Sequence, residues 1–138
     1  MSAFFGPAGT PDDFVSMGYK NSFDIPDYIE KIGLDAFEYQ CGQGVRIGEQ
    51  LALKIGEKAK EKNIRMSLHA PYFISLSSVE EEKRNNSIGY ILQSARAVNA
   101  LGGTRIIIHS GSCSKMTREQ ALDFAKETLL KARKALCD

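Results

Sequence analysis

The stretch Ile64-Arg65-Met66-Ser67-Leu68-His69 is a short, mostly apolar run that Ala70-Pro71 cuts off. Forty residues later, Thr104-Arg105-Ile106-Ile107-Ile108-His109 has the same form and again ends in a histidine. Both runs are predicted to be β-strands, and an isoleucine run without polar alternation is typical of a parallel strand covered on both faces. One βα unit takes about 30 residues or more. The two stretches therefore predict neighbouring strands of a parallel sheet.

The same alternation extends outward to the whole chain. Further short apolar runs predict strands near residues 2–5 and 36–39, beside those at 64–69 and 104–109. Between them, apolar residues recur every third or fourth position, as on the buried face of a helix. The order β-α-β-α-β-α-β-α predicts an α/β fold with outer helices packed against a parallel sheet. With no internal boundary, linker or low-complexity segment, residues 1–138 are predicted to form a single domain.

Two of the predicted helices begin with a capping-box pattern, in which a Ser or Thr is followed three residues later by Glu or Gln. Ser78 with Glu81 predicts the start of the helix after the third strand, and Thr117 with Gln120 that of the last helix. The predicted buried face of the last helix consists of Leu122, Ala125, Leu129, Ala132 and Leu136.

The composition describes an ordinary globular domain. The 138 residues include 18 Lys and Arg against 17 Asp and Glu, a formal net charge of +1. This balance predicts no general basic surface for nucleic acid and no polybasic membrane patch, although a local basic groove stays open. No apolar run approaches the roughly 20 residues of a membrane span, and the N-terminus does not resemble a secretory signal. The odd count of three cysteines is typical of reduced thiols. We therefore expect a cytoplasmic protein.

His69 and His109 are the two histidines of the sequence, and each ends a predicted strand. Neighbouring parallel strands lie about 4.8 Å apart, so two imidazoles at their C-terminal ends can reach one metal ion or two close ones. Imidazole suits zinc, manganese or iron, and a metal centre needs further ligands such as carboxylates or water. Two alternatives stay open. Each histidine is a hydrogen-bonded residue at the sheet edge, or Cys41 and Cys113 complete a Cys2His2 zinc site.

Loop residues at the same predicted edge offer contacts to a nucleotide. Tyr72 and Phe73 could stack on a base, or Phe73 and Ile74 cap the core and only Tyr72 is exposed. The segments Gly42-Gln43-Gly44, with Arg46 beside it, and Ser110-Gly111-Ser112 bring backbone N–H groups that could hold a phosphate.

At these residues the chain resembles the endonuclease IV family, the zinc-dependent apurinic/apyrimidinic endonucleases, within the xylose-isomerase-like TIM-barrel superfamily. The resemblance covers essentially the whole chain. Its most specific part is the His-Ala-Pro-Tyr sequence followed one repeat later by His-x-Gly, and the remainder is general to the superfamily. The stretches that carry it are Phe5-Gly6-Pro7-Ala8-Gly9, Gly44-Val45-Arg46, Ser67-Leu68-His69-Ala70-Pro71-Tyr72, Ile74-Ser75-Leu76 and Ile108-His109-Ser110-Gly111.

The resemblance implies an eight-stranded barrel with a three-zinc centre (Mn2+ or Fe2+ being alternatives) that hydrolyses the phosphodiester bond 5′ of abasic sites in DNA. It implies that His69 and His109 are metal ligands. It also implies that Tyr72 belongs to a loop that opens DNA at the flipped-out abasic nucleotide. With the glycine-rich loops, the candidate DNA- or substrate-binding residues are Tyr72, Gln43, Arg46, Ser110 and Gly111.

Four βα units make half of a TIM barrel, which takes about 250 residues and at least about 200. The resemblance implies that the other metal ligands, Glu, Asp and His residues of strands five to eight, lie beyond Cys137-Asp138. We therefore expect a truncated N-terminal half that is weakly active or inactive alone. Its two open sheet edges and an exposed apolar interior predict a homo-oligomer, for example a dimer that rebuilds an eight-stranded barrel.

Two other functions remain open at this stage. One is a sugar isomerase or epimerase of the same superfamily, which also uses metal ligands at the barrel end. The other is a non-enzymatic half-barrel that self-assembles. The Tyr72 loop and the His109-Ser110-Gly111 turn favour the endonuclease.

Overall fold

A computed structural model describes residues 3–137. Helices and strands alternate along the chain, so the predicted α/β fold is confirmed. In this part of the chain no helix is long and apolar enough to cross a membrane. The strands are β1 (Ala36–Gln40), β2 (Arg65–His69) and β3 (Ile106–Ile107). The helices are α1 (Asp13–Ser16), α2 (Ile25–Lys31), α3 (Glu49–Glu61), α4 (Glu81–Ala100) and α5 (Arg118–Cys137), with a 3-10 turn at Ser22–Asp24.

The three strands form one parallel sheet in the order β1-β2-β3. Gln40 at the end of β1 pairs with His69 at the end of β2, and His69 pairs with Ile107 of β3. Each crossover between neighbouring strands contains one long helix, as in half of a TIM barrel. The register brings the C-terminal ends of all three strands to the same edge of the sheet.

The strand predicted near residues 2–5 is not formed in the described part of that stretch, and Ser2 lies outside the described residues. Instead, Phe5–Gly9 runs beside β1 in the same direction, and the backbone amide of Glu38 donates to the carbonyl oxygen of Pro7 at 3.1 Å. Pairing of this segment with β1 stays limited, because Pro7 has no N–H with which to continue a ladder. The segment occupies the place of a first strand without forming regular strand structure.

The two faces of the sheet differ in polarity. Phe37 and Leu68 point toward the helices and are buried. Because successive side chains in a strand point to opposite faces, the register places Glu38 and Ser67 side by side on the other face, with Ile107 beside His69. The open face is therefore more polar than the expected apolar interior, although it keeps an apolar residue at Ile107.

The last helix packs through only part of the face that its sequence pattern predicts, since Ala132 is buried and Ala125 is partly buried against the core. Small residues of α5 are buried, which lets the helix approach the rest of the fold closely, whereas the larger leucines stay exposed. The buried positions are Ala121, Thr128 and Ala132, and the exposed leucines include Leu122, Leu129 and Leu136.

One of the two predicted capping boxes is confirmed. The N–H of Thr117 donates to Oε1 of Gln120 at 3.0 Å, and the N–H of Gln120 donates to Oγ1 of Thr117 at 3.2 Å. The box predicted at Ser78 is wrong, because α4 has Glu80 as its N-cap and the Ser78 hydroxyl accepts from the Glu80 N–H instead. The Ser78 hydroxyl therefore stabilises the segment just before α4 rather than the first turn of that helix.

Candidate functional site

The two histidines meet at the C-terminal edge of the sheet. Their ring centroids lie 4.9 Å apart, and the rings are nearly perpendicular at 86°. His69 is half-buried at the end of β2, and His109 is exposed two residues beyond the end of β3. The structure thus brings both candidate metal ligands together, as the spacing of the strand ends predicts.

Backbone contact fixes the tautomer of His69. Its Nδ1 lies 2.8 Å from the carbonyl oxygen of Ala70. A carbonyl oxygen only accepts, so Nδ1 carries the proton and, in the neutral ring, Nε2 keeps its lone pair. Histidines that bind metals commonly donate their other ring N–H to a carbonyl or carboxylate in this way. His69 is therefore prepared to give Nε2 to an electrophile.

The donor set is suited to a metal but incomplete. Among residues 3–137, no three side chains of His, Cys, Asp or Glu are grouped so that they could hold one ion. The alternative Cys2His2 site is accordingly not assembled, with Cys41 buried and Cys113 exposed. Burial also raises the pKa of the Cys41 thiol, which disfavours the thiolate that zinc requires. Two imidazoles fit as part of a zinc centre, which usually has four ligands.

An aromatic pair projects beside the histidines from the β2–α4 loop (residues 70–80). Tyr72 is 57% exposed and Phe73 45%, and their ring centroids are 5.8 Å apart. Phe73 also contacts Tyr90 of α4 edge to face at 4.8 Å, whereas Ile74 is buried. The alternative in which Phe73 and Ile74 cap the core is thus confirmed for Ile74 and wrong for Phe73, whose ring keeps a large exposed surface.

Tyr72 also contacts the loop after β1. Its N–H donates to the carbonyl oxygen of Gly42 at 3.2 Å, and a Cβ at that glycine would lie 3.3 Å from the Tyr72 ring. The same loop borders an open cleft of about 350 Å3 lined by residues that include Gln40, Gln43 and Arg46. Gln43 and Arg46, the two candidate DNA-binding residues of this loop, therefore line one cleft, and the Tyr72 ring lies against Gly42 of the same loop.

The β3–α5 loop (residues 108–117) carries the last two candidates. Ser110 and Gly111 are both exposed, and Gly111 has φ +100°. Ser77 of the β2–α4 loop donates its hydroxyl to the carbonyl oxygen of Ser112 at 2.8 Å. This hydrogen bond attaches the β3–α5 loop, which carries His109, to the β2–α4 loop, which follows His69.

Two polar residues of the open face, Glu38 and Gln40, were not predicted from the sequence. Glu38 and Gln40 are alternate residues of β1 on the same face as His69, and Nε2 of Gln40 donates to Oε1 of Glu38 at 2.9 Å. Since the amide nitrogen is engaged by the carboxylate, the amide oxygen of Gln40 remains as an acceptor at the sheet edge. Their alternation with Phe37 and Tyr39 in the sequence could have predicted that they share the open face of the strand.

Comparison with known families agrees with this geometry. The family model described as xylose isomerase-like TIM barrel (AP_endonuc_2) matches residues 26–136. The chain belongs to this family. The open three-stranded sheet and its outer helices are consistent with half of such a barrel.

Two curated relatives match this chain over part of their own length. The uncharacterized protein MJ0133 of Methanocaldococcus jannaschii is 32% identical over 125 residues, which cover 91% of this chain and 43% of that protein. A probable endonuclease 4 of Mycoplasma pneumoniae is 34% identical over 58 residues, 42% of this chain and 20% of that protein. The chain spans less than half the length of the curated relatives it matches.

Solved structures show the same barrel fold with different activities. Endonuclease IV from Thermus thermophilus superposes with a TM-score of 0.62 at 16% identity, over 80% of this chain and 42% of that one. D-psicose 3-epimerase from Clostridium cellulolyticum, solved with D-tagatose, gives a TM-score of 0.66 at 16% identity over the same shares. At such identities the likeness establishes the TIM-barrel fold and not the reaction.

Proposed function

We propose that this chain is the N-terminal half of a metal-dependent endonuclease that cleaves DNA 5′ of abasic sites. Within it, His69 and His109 provide two ligands of a zinc centre, and Tyr72 contacts the DNA. The observation that carries the proposal is the edge-to-face histidine pair at 4.9 Å, with Nε2 of His69 kept available by the Ala70 carbonyl. Relatives described as probable endonuclease 4 support the choice of reaction.

The metal would supply a nucleophilic hydroxide and charge stabilisation at the phosphate. The chain's own residues orient the two imidazoles and place an exposed aromatic ring beside them. An abasic nucleotide leaves a gap in the base stack, and a ring of the size of Tyr72 can fill such a gap by stacking. Arg46 in the neighbouring cleft offers a cation to a backbone phosphate. DNA recognition of this kind is local and needs no general basic surface.

Epimerisation or isomerisation of a sugar is the second candidate. It is favoured by Gln40, whose amide oxygen remains an acceptor because its nitrogen donates to Glu38. An acceptor at the sheet edge pairs with a sugar hydroxyl better than with a phosphate oxygen, which is itself an acceptor. The fold shared with D-psicose 3-epimerase is compatible with this reaction.

Binding of two duplexes to the purified chain tests the proposal. One duplex carries a tetrahydrofuran abasic analogue and the other is undamaged, and each is titrated by fluorescence anisotropy with and without Zn2+. We expect zinc-dependent preference for the abasic duplex. Equal affinity for both duplexes, unchanged by zinc, would overturn the endonuclease proposal. Zinc-dependent binding of D-fructose in place of DNA would support the sugar enzyme.

A further inference from the structure

A hydrogen bond joins the two loops that follow the histidine-bearing strands. Ser77 donates to the carbonyl oxygen of Ser112 at 2.8 Å and is only 3% exposed. We infer that Ser77 is a positioning residue that holds His109 against His69. The consequence for metal binding rests on the proposed function, whereas the packing of the two rings does not.

His109 depends on support from beyond its own strand. The sheet's last backbone hydrogen bond to β3 runs from the N–H of Ala70 to the carbonyl oxygen of Ile107 at 2.9 Å. His109 lies two residues past this bond and three residues before Ser112. Its exposed imidazole therefore sits between two attachments, the short strand on one side and the Ser77 contact on the other. Removal of the second attachment leaves the loop between β3 and α5 without its hydrogen bond to the β2–α4 loop.

The close approach of the β3–α5 loop to Ser77 also depends on the glycine at position 111. A Cβ at Gly111 would lie 2.5 Å from the Ser77 hydroxyl oxygen, and the φ of +100° is one that side chains rarely adopt. Glycine thus permits the β3–α5 loop to lie directly on Ser77. Two independent features, a donor at position 77 and a glycine at 111, are needed for the same close approach.

The loop that carries Ser77 is itself firmly held. Three backbone groups next to Ser77 are hydrogen-bonded to side chains of α4 and α5. They are the N–H of Ser75 with Ser87, the carbonyl oxygen of Leu76 with Thr128, and the carbonyl oxygen of Ser78 with the buried guanidinium of Arg84 at 2.7 Å. Ser77 is therefore attached to a fixed support, so its hydrogen bond restrains the β3–α5 loop rather than following its motion.

Comparison of Ser77→Ala with Ser94→Ala tests the inference. Both variants lose a buried serine hydroxyl, but Ser94 donates to the carbonyl oxygen of Tyr90 within α4, whereas Ser77 bonds the β3–α5 loop. The two readouts are the nuclear Overhauser effect between the ring protons of the histidines and the zinc affinity by calorimetry. The thermal midpoint of each variant reports the loss of stability separately.

We expect Ser77→Ala to weaken the ring-to-ring Overhauser effect and to lower zinc affinity about tenfold, the size of effect typical of groups that orient metal ligands. Ser94→Ala should leave both readouts within about twofold, because its hydroxyl bonds only within α4. If Ser77→Ala fails to fold, Gly111→Ala provides the same test, because its Cβ would force the loop away from Ser77. An unchanged Overhauser effect in a folded Ser77→Ala or Gly111→Ala variant would overturn the inference.

The two hypotheses fail separately. A parent chain that binds no zinc but loses ring contact on Ser77→Ala would contradict the metal site and support the positioning role. A parent chain that binds zinc through both histidines, with an Overhauser effect that Ser77→Ala leaves unchanged, would support the metal site and contradict the positioning role.

Discussion

The Thr128 hydroxyl in the middle of α5 lies 2.9 Å from the carbonyl oxygen of Leu76, 52 residues earlier in the chain, and shares its proton between that oxygen and the carbonyl oxygen of Phe124 at 2.8 Å. The last helix is thereby docked onto the loop that carries the aromatic pair. Both residues are almost completely buried. The outermost helix of the fold thus takes part in shaping the candidate site, although no residue of that helix lies in it.

Replacement of Thr128 by valine keeps the shape of the side chain and removes the donor. We expect the free energy of unfolding to fall by about 1–3 kcal/mol, because the Leu76 carbonyl oxygen loses this hydrogen bond in a buried position. Urea denaturation followed by circular dichroism measures the change. Thr104→Val at an exposed position is the control, and equal effects of the two substitutions would contradict the expectation.

Either histidine alone should be insufficient for tight metal binding. We expect His69→Ala and His109→Ala each to lower zinc affinity at least about tenfold, since each removes one of two ligands. Isothermal titration with Zn2+ measures this, with the double variant as reference. The proposed metal site would be refuted if the double variant bound zinc as tightly as the parent.

Tyr72→Ala should reduce the preference for an abasic duplex about tenfold, in line with the loss of about 1–3 kcal/mol of stacking per base. The thermal midpoint should change little, because the ring is mostly exposed. Tyr72→Phe keeps the ring and should retain the preference. Phe23→Ala, another exposed aromatic, is the matched control. A similar loss in both alanine variants would show that the effect is not specific to Tyr72.

The three cysteines should differ in reactivity. Burial raises the pKa of Cys41 above its ordinary value, so its thiolate is scarce in the folded state at pH 8, whereas Cys113 and Cys137 are exposed. Because the folded pKa is raised, Cys41 favours the folded state below the unfolded thiol pKa of about 8.5, and this contribution is lost as the pH rises further. Ellman's reagent should label two thiols quickly and the third only after denaturation. Three equally fast reactions would contradict this.

Self-association through the open half-barrel stays a prediction, and we propose a second copy as the partner. Each copy would bring the edge that the other lacks, with Phe5–Gly9 of one copy beside β3 of the other. We expect light scattering coupled to size exclusion to show dimers at high concentration. Leu129→Glu on α5 should weaken them more than Leu53→Glu on α3, two leucines of similar exposure. A monomer at all concentrations would refute the proposal.

The sequence predicted the features that depend on regular alternation. His69 and His109 close two parallel strands, and the register of such strands leaves little choice about where their ends lie. The stretch 2–5 was mispredicted because a short apolar run does not by itself show that ladder hydrogen bonds form. The exposed face of α5 was mispredicted because helical periodicity finds the large apolar residues, whereas the helix packs through small ones.

The finer parts of the site depend on contacts between distant residues. The hydrogen bond from Ser77 to Ser112 and the pairing of Gln40 with Glu38 leave no periodic trace in the sequence. Each involves common polar residue types whose partners are known only once the strands and loops are placed. Local patterns therefore located the histidines but not the residues that orient them.

The polar row on the open face limits how this half-barrel can be combined with others in chimeric design. Grafting it onto a foreign half with a purely aliphatic lumen would bury the Glu38 carboxylate, which is bonded to the neutral amide of Gln40, at a cost of several kcal/mol. A successful graft must therefore present a lysine or arginine near that carboxylate. Compatibility between halves is in this respect a matter of charge matching as well as shape.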